Sequence, residues 1–237
     1  MTDTLLQDPA PTAAAGGERA SRRWIKVWDA PTRLFHWCVV ALVAFSYVTA
    51  RNGWIDWHFY SSYAILALVA FRILWGFAGS ETARFASFVQ GPRAAIAHLG
   101  HLMKRQPQDE AGHNPAGAYM VLVLVALLLT QAVSGLFAND GLFTEGPLAP
   151  LVGGAMSDQL SKLHGFTFDL IMIAVAVHVA AVLLYAVLVR QDLVRPMITG
   201  WKRLPPSIAA PRLAPVPLAL GLLGLAVLMV YGVTRLG

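Results

Sequence analysis

The chain has 237 residues, 57% of them hydrophobic and only 13% charged, with a mean hydropathy of +0.57. A soluble domain averages about 25% charged residues, so the composition excludes an ordinary water-soluble protein and fits a surface in contact with hydrocarbon, where ionised groups are costly. The formal net charge of +5 does not mark a nucleic-acid binder, because the basic residues flank apolar runs instead of forming one patch.

Residues 1–23 are rich in Ala, Gly and Pro with mixed charge and no apolar core. They are expected to be a disordered cytoplasmic tail, not a signal peptide. Five apolar runs follow, at about 34–50, 57–78, 117–138, 163–189 and 215–234, measured against a need of about 20 residues per membrane-spanning helix. No run alternates as a β-barrel strand would. The fold class expected is all-α, a transmembrane helix bundle. The single cysteine, Cys38, lies inside an apolar run, which excludes an intrachain disulfide, a Cys-ligated iron–sulfur cluster and covalent haem attachment through C-x-x-C-H.

Lys and Arg placement predicts the orientation. Arg19, Arg22, Arg23, Lys26, Arg33, Arg84, Arg93, Lys104, Arg105, Arg190, Arg195, Lys202, Arg203 and Arg212 fall on one side, and only Arg51, Lys162 and Arg235 on the other. The N-terminus is expected in the cytoplasm, with the chain crossing the membrane several times. Trp24, Trp28, Trp75 and Trp201 are expected at the inner interface, and Trp54 and Trp57 at the outer one. Between the second and third runs, Ile96, Leu99, Leu102 and Met103 recur at helical spacing opposite Arg93, Lys104 and Arg105. That pattern predicts an amphipathic helix on the membrane surface.

Of seven histidines, His36, His58, His164 and His178 lie in or at the ends of apolar runs. His164 and His178 are 14 residues apart, so they share a helix face to within about 40° and stand about 21 Å apart along the axis. The first helix runs outward from His36, and the second returns inward from His58. Depth therefore pairs His36 with His178 on the inner side and His58 with His164 on the outer side. A His–metal–His pair fits bis-imidazole haem iron. Zinc would want four ligands, and no further donor lies near either pair. Six-coordinate iron leaves no open position for a substrate, so such sites suit electron transfer.

Arg33 precedes His36 by one turn, and Arg72 follows His58 by 14 residues on the same face. Each is a candidate to pair with a haem propionate, or else to snorkel to the inner interface. Asp169 is an isolated acid. His98, His101 and His113 are expected in a solvated loop.

The segment Val27–Trp37 (VWDAPTRLFHW) resembles the opening signature of bacterial cytochrome b561 and of the b-type cytochrome subunits of nickel–iron hydrogenases. Arg72–Phe85, Phe88–Pro92, Gly112–Met120, Leu142–Pro150 and Leu193–Gly200 extend the resemblance in the family's order over about residues 24–203. It implies a four-helix core with two haems b, one ligand from each of helices one and two and both others from helix four. Those positions match His36, His58, His164 and His178. The fifth run departs from this core, and is expected to add a C-terminal transmembrane helix.

The resulting expectation has three parts: the tail 1–23, a di-haem cytochrome b domain at 24–203, and a linker with a C-terminal helix at 204–237. The resemblance implies electron transfer across the bilayer between membrane quinone and a partner redox protein, such as a hydrogenase-like subunit or a periplasmic cytochrome c. An electron-transfer subunit is expected rather than a stand-alone enzyme. An autonomous quinone-linked oxidoreductase with a diffusible donor is the alternative, and a non-redox anchor or transporter a weaker one. The cation-rich inner rim suits quinone exchange. The acidic outer loop, with Asp140, Glu145 and Asp158, suits the partner. The sequence leaves room for a homo-oligomer.

Overall fold

A computed structural model of the chain describes residues 22–103 and 109–236. Five long helices run through it: α1 (Ala30–Arg51), α2 (Ile55–Ala78), α4 (Pro115–Leu136), α5 (Gly154–Leu184) and α6 (Val216–Val233). A shorter helix, α3 (Pro92–Met103), lies between α2 and α4. All five long helices are long and apolar enough to cross a membrane, and the fold is the expected all-α bundle with a fifth C-terminal helix.

The helix starts are encoded locally. Asp29 caps α1 by accepting from Thr32 N at 2.6 Å, with Pro31 in the first turn. Asn114 caps α4 in the same way from Gly117 N, followed by Pro115. Both pair an Asx cap, which satisfies an orphan amide, with a proline whose missing N–H costs nothing there.

α5 begins at Gly154, nine residues before the apolar run foretold at 163. Its first turns carry Ser157, Asp158, Ser161 and Lys162, which a hydropathy reading passes over. Ser157 and Ser161 bond back to the loop at Phe137 and Asn139. At its other end α5 widens into a π-helical turn, Tyr185–Val189, closed by Arg190 in a left-handed conformation.

α2 is the central helix. α1, α4 and α6 all pack on it, while α5 packs closely on α4 and makes few backbone contacts with α1 or α2. α6 sets Ala219 and Ala226 against Phe71 and Trp75, and Val230 against Leu66 and Ala67. Small residues at that spacing let two backbones approach.

One end of the bundle carries a two-stranded antiparallel sheet that the sequence pattern does not announce: β1 (Arg23–Lys26) pairs with β2 (Trp201–Leu204), Ile25 opposite Lys202. Ile25, Val27, Trp28 and Leu204 form a small core beneath it. Gly200 is required here, because its φ of +87° and a Cβ 2.8 Å from the Trp28 carbonyl exclude a side chain. The expected tail 1–23 lies outside the described residues except for Arg22 and Arg23; Arg22 pairs with Asp109, and Arg23 opens β1.

Two tryptophans expected at the interface are core residues instead. Trp28 is buried, and Trp75 is fully buried with its indole N–H donating to Asp29. Trp24, Trp54, Trp57 and Trp201 are exposed as an interfacial belt requires. In α3, Ile96 and Arg93 are exposed. Lys104 and Arg105, and the side chains of Leu99, His101, Leu102 and Met103, lie outside the described part.

Candidate functional site: two imidazole pairs

α1 and α5 bring His36 and His178 together at the end that carries the β-sheet, with ring centroids 6.4 Å apart. α2 and α5 bring His58 and His164 together toward the other end, also at 6.4 Å. These are the two ring pairings expected from helix depth. The identical spacing is informative. A direct hydrogen bond between imidazole nitrogens would bring the centroids to about 5 Å. Two nitrogens each about 2.0 Å from one metal atom, with about 1.1 Å from nitrogen to ring centre on either side, put them about 6.2 Å apart.

Backbone carbonyls orient the second pair. His58 Nδ1 lies 3.0 Å from the Ser46 carbonyl and 3.1 Å from its hydroxyl. His164 Nδ1 lies 2.9 Å from the Gln131 carbonyl. An Nδ1–H donated to a carbonyl leaves Nε2 as the lone-pair nitrogen and fixes the ring plane, as in metal-ligating histidines generally. Gly135 allows the close fit, because a Cβ there would stand 2.8 Å from His164 Cε1. The Gln131 amide nitrogen stands 3.0 Å from His164 Nε2, and its buried Oε1 has no partner among the described residues.

The first pair has a different setting. His36 Nδ1 is buried and without a partner among the described residues. At the same end of the bundle Arg72 is 2% exposed and its Nη1 is likewise unpartnered among the described residues. The guanidinium lies over the Phe85 ring at 5.1 Å and feels the Asp29 carboxylate. An arginine this buried does not snorkel to water. Its spare donor suits an anion brought by a cofactor. Arg33, the other cation singled out, is spent on backbone carbonyls: it donates to Asp29 O at 3.3 Å and to Ile198 O.

Between the two levels lies an apolar layer of Val39, Ile65, Val69, Leu128 and Ile171, one or two residues from each of four helices. Ile171 is seven residues from both His164 and His178, so the layer stands midway and excludes water from the space between the pairs.

His98 and His113 lie between α2 and α4 as expected, but both are packed against other side chains instead of solvated. His113 is sandwiched between Trp28 at 4.6 Å and Phe88 at 4.7 Å. Burial, with the neighbouring Arg72 charge and His178 adding to it, pushes its imidazole down to about 3. His98 is buried and sits 2.6 Å from the Tyr185 hydroxyl, which Asn114 also contacts. The signal for His113 was its place in Gly112–Pro115 directly before a helix cap. The signal for His98 was absent, because its partner lies 87 residues away. Asp169 is exposed. Among the described residues no group of three or more His, Cys, Asp or Glu could hold a metal ion.

Two imidazole pairs, one with Nδ1 turned to backbone carbonyls, and at the level of the other a buried arginine with a spare Nη1 donor fit haem iron, with no cluster of three or more metal ligands among the described residues. A multi-pass membrane protein built this way belongs to the membrane cytochromes. The family model described as prokaryotic cytochrome b561 matches residues 27–200, and the chain belongs to that family. It is therefore a b-type cytochrome that binds haem b and transfers electrons in a membrane.

Among its relatives is a protein of Rhizobium leguminosarum bv. viciae named "Probable Ni/Fe-hydrogenase B-type cytochrome subunit", 25% identical, with the alignment covering 79% of this chain and 93% of the relative. Proteins of the same name from Azotobacter vinelandii and Cupriavidus necator are also 25% identical, over 75% and 81% of this chain and 88% and 93% of theirs. No solved structure matches the chain significantly.

Proposed function

We propose that the chain holds two haems b, one between His36 and His178 and one between His58 and His164, and carries electrons across a bacterial inner membrane. The observation that carries this reading is the pair of equal ring separations, 6.4 Å at both levels. Bound haem supplies one-electron iron chemistry. The chain supplies everything else. The four imidazoles hold the group from three helices, and the Ser46 and Gln131 carbonyls orient two of them. The Val39–Ile171 layer keeps the space between them dry, and Arg72 offers a buried donor to a propionate.

The sheet-bearing end carries Arg23, Lys26, Arg33, Lys202 and Arg203 and is proposed to face the cytoplasm, by the excess of Lys and Arg on that side. Quinone exchange is assigned to this end, since cations stabilise the charge a quinone headgroup gains on reduction. The other end carries the exposed acids Asp140, Glu145 and Asp158 and is proposed to dock a redox partner in the periplasm. The relatives' names favour a hydrogenase subunit as that partner.

The test is haem counting on the purified membrane protein. Pyridine-haemochrome analysis should give two haems b per chain, and near-infrared and low-temperature magnetic spectra should show bis-imidazole ligation. One haem per chain, or a spectrum with a non-histidine ligand, overturns the assignment.

A further inference from the structure

Among the described residues, the two most exposed large apolar side chains are neighbours. Leu142 is 80% exposed and Phe143 94%, and both sit at the tip of the loop between α4 and α5. The loop is built to hold them there. One oxygen of Asp140 accepts the backbone N–H groups of Leu142, Phe143 and Thr144 at 2.8 to 2.9 Å, and Asp140 N returns to Thr144 O. Gly141 turns the chain with φ +73°. Asn139 bridges to Glu145 across the loop and bonds Ser157 and Asp158 in the first turn of α5. Those amide donors hold the Asp140 carboxyl well below the usual carboxylate range, so the tip keeps its charge at any physiological pH.

The root of this loop touches the far histidine site. A Cβ on Gly146 would stand 2.4 Å from the Leu136 carbonyl and 2.5 Å from that of Gly135. Gly135 in turn lies against His164. Two glycines thus connect the loop to the ligand ring by direct van der Waals contact.

We propose that Leu142 and Phe143 form a docking knob that seats in an apolar cleft edged by Lys or Arg on a water-side redox protein, beside the His58–His164 site. This rests on the outer-face docking put forward above and specifies its chemistry. An aromatic anchor ringed by charged groups is the form of an interface hot spot. A tip already fixed by six hydrogen bonds within the loop and to α5 loses little entropy on binding. A lipid headgroup layer is the poorer occupant. Anionic lipid attracts basic segments, whereas Asp140, Glu145 and Asp158 surround this tip, and the interfacial anchors of this end are Trp54 and Trp57.

The test uses the full-length chain in native membranes with Phe143 replaced by p-benzoylphenylalanine, and Phe166→p-benzoylphenylalanine on the exposed flank of α5 as control. Irradiation should join position 143 to one polypeptide carrying a redox centre, with a yield that falls at raised salt and with Glu145→Lys. Adducts with lipid at position 143, as at the control position, overturn the proposal, and so does the absence of a polypeptide adduct. A Leu142→Ser/Phe143→Ser variant should slow electron exchange with that partner about tenfold or more, the loss expected of a hot-spot anchor, with haem content unchanged. If Glu145→Lys slows exchange and the double variant does not, outer-face docking stands and the knob is wrong. If neither slows it, the outer-face reading falls as well.

Discussion

Gln131 meets His164 twice: its backbone carbonyl accepts from Nδ1 at 2.9 Å, and its side-chain amide nitrogen stands 3.0 Å from Nε2. The first contact orients the ring, and the second covers the nitrogen that binds iron under the proposed ligation. Gln131→Leu removes only the cover. The outer site of the haem-free protein should then take up haem faster, in stopped-flow titration with hemin. Final occupancy should not change, because the orienting carbonyl remains. Unchanged uptake would mean that the amide is no barrier.

Gly135→Ala should empty the outer site alone. The new methyl would stand 2.8 Å from His164 Cε1, and the ring cannot step back without losing the Gln131 carbonyl. Haemochrome analysis should fall from two haems to about one per chain, with the inner haem's midpoint potential kept. A packing penalty of about 1–3 kcal/mol accompanies such overpacking, so a thermal melt should show the loss of the site to exceed any loss of fold.

The ligand pairing makes a double prediction. His36→Ala and His178→Ala should each remove the same haem, and His58→Ala and His164→Ala the other. Redox titration of the four variants distinguishes the two components. Any variant that removes a haem across these pairs overturns the assignment.

The two arginines should part company. Arg72 is buried with a spare donor, so Arg72→Leu should retain haem and lower the inner midpoint potential by on the order of 1 kcal/mol in free energy, through loss of a nearby cation. Arg33 is engaged with the Asp29 and Ile198 carbonyls. Arg33→Leu should leave both potentials alone and lower thermal stability by about 1–2 kcal/mol. A shifted potential in Arg33→Leu would return it to the haem site.

His113 predicts a pH dependence. Its folded value is pushed down to about 3 from 6.5. Between those values the unfolded chain holds the proton and the folded chain does not, so stability falls as pH drops through this window. The slope is at most about 1.4 kcal/mol per pH unit from this one group. His113→Gln should flatten the acid limb of a stability curve measured from pH 7 to 4. An unaltered limb would assign the acid sensitivity elsewhere.

Much of this was legible along the chain because bilayers impose simple rules. A span needs about 20 apolar residues, and each helix reverses the last, so depth follows from residue number. The pairing of His36 with His178 and of His58 with His164 rests on those rules and on the 1.5 Å rise alone. The same reasoning could not separate Arg33 from Arg72. Both lie at one depth, and their difference is whether a carbonyl 165 residues away reaches the guanidinium.

Amino-acid order by itself determined the five helices, their caps at Asp29 and Asn114, and the levels of the four histidines, since each depends on hydropathy or on contacts within one turn. Tertiary structure alone decided what depends on distant partners. It drew Trp28 and Trp75 into the core, folded β1 against β2 across 175 or more residues, and enclosed His113 between two aromatic rings. It also laid Gly146 on Gly135 and Gly135 on His164. Those contacts form where helices meet, and no local pattern records them, because a buried polar group needs only one partner and that partner can come from anywhere in the chain.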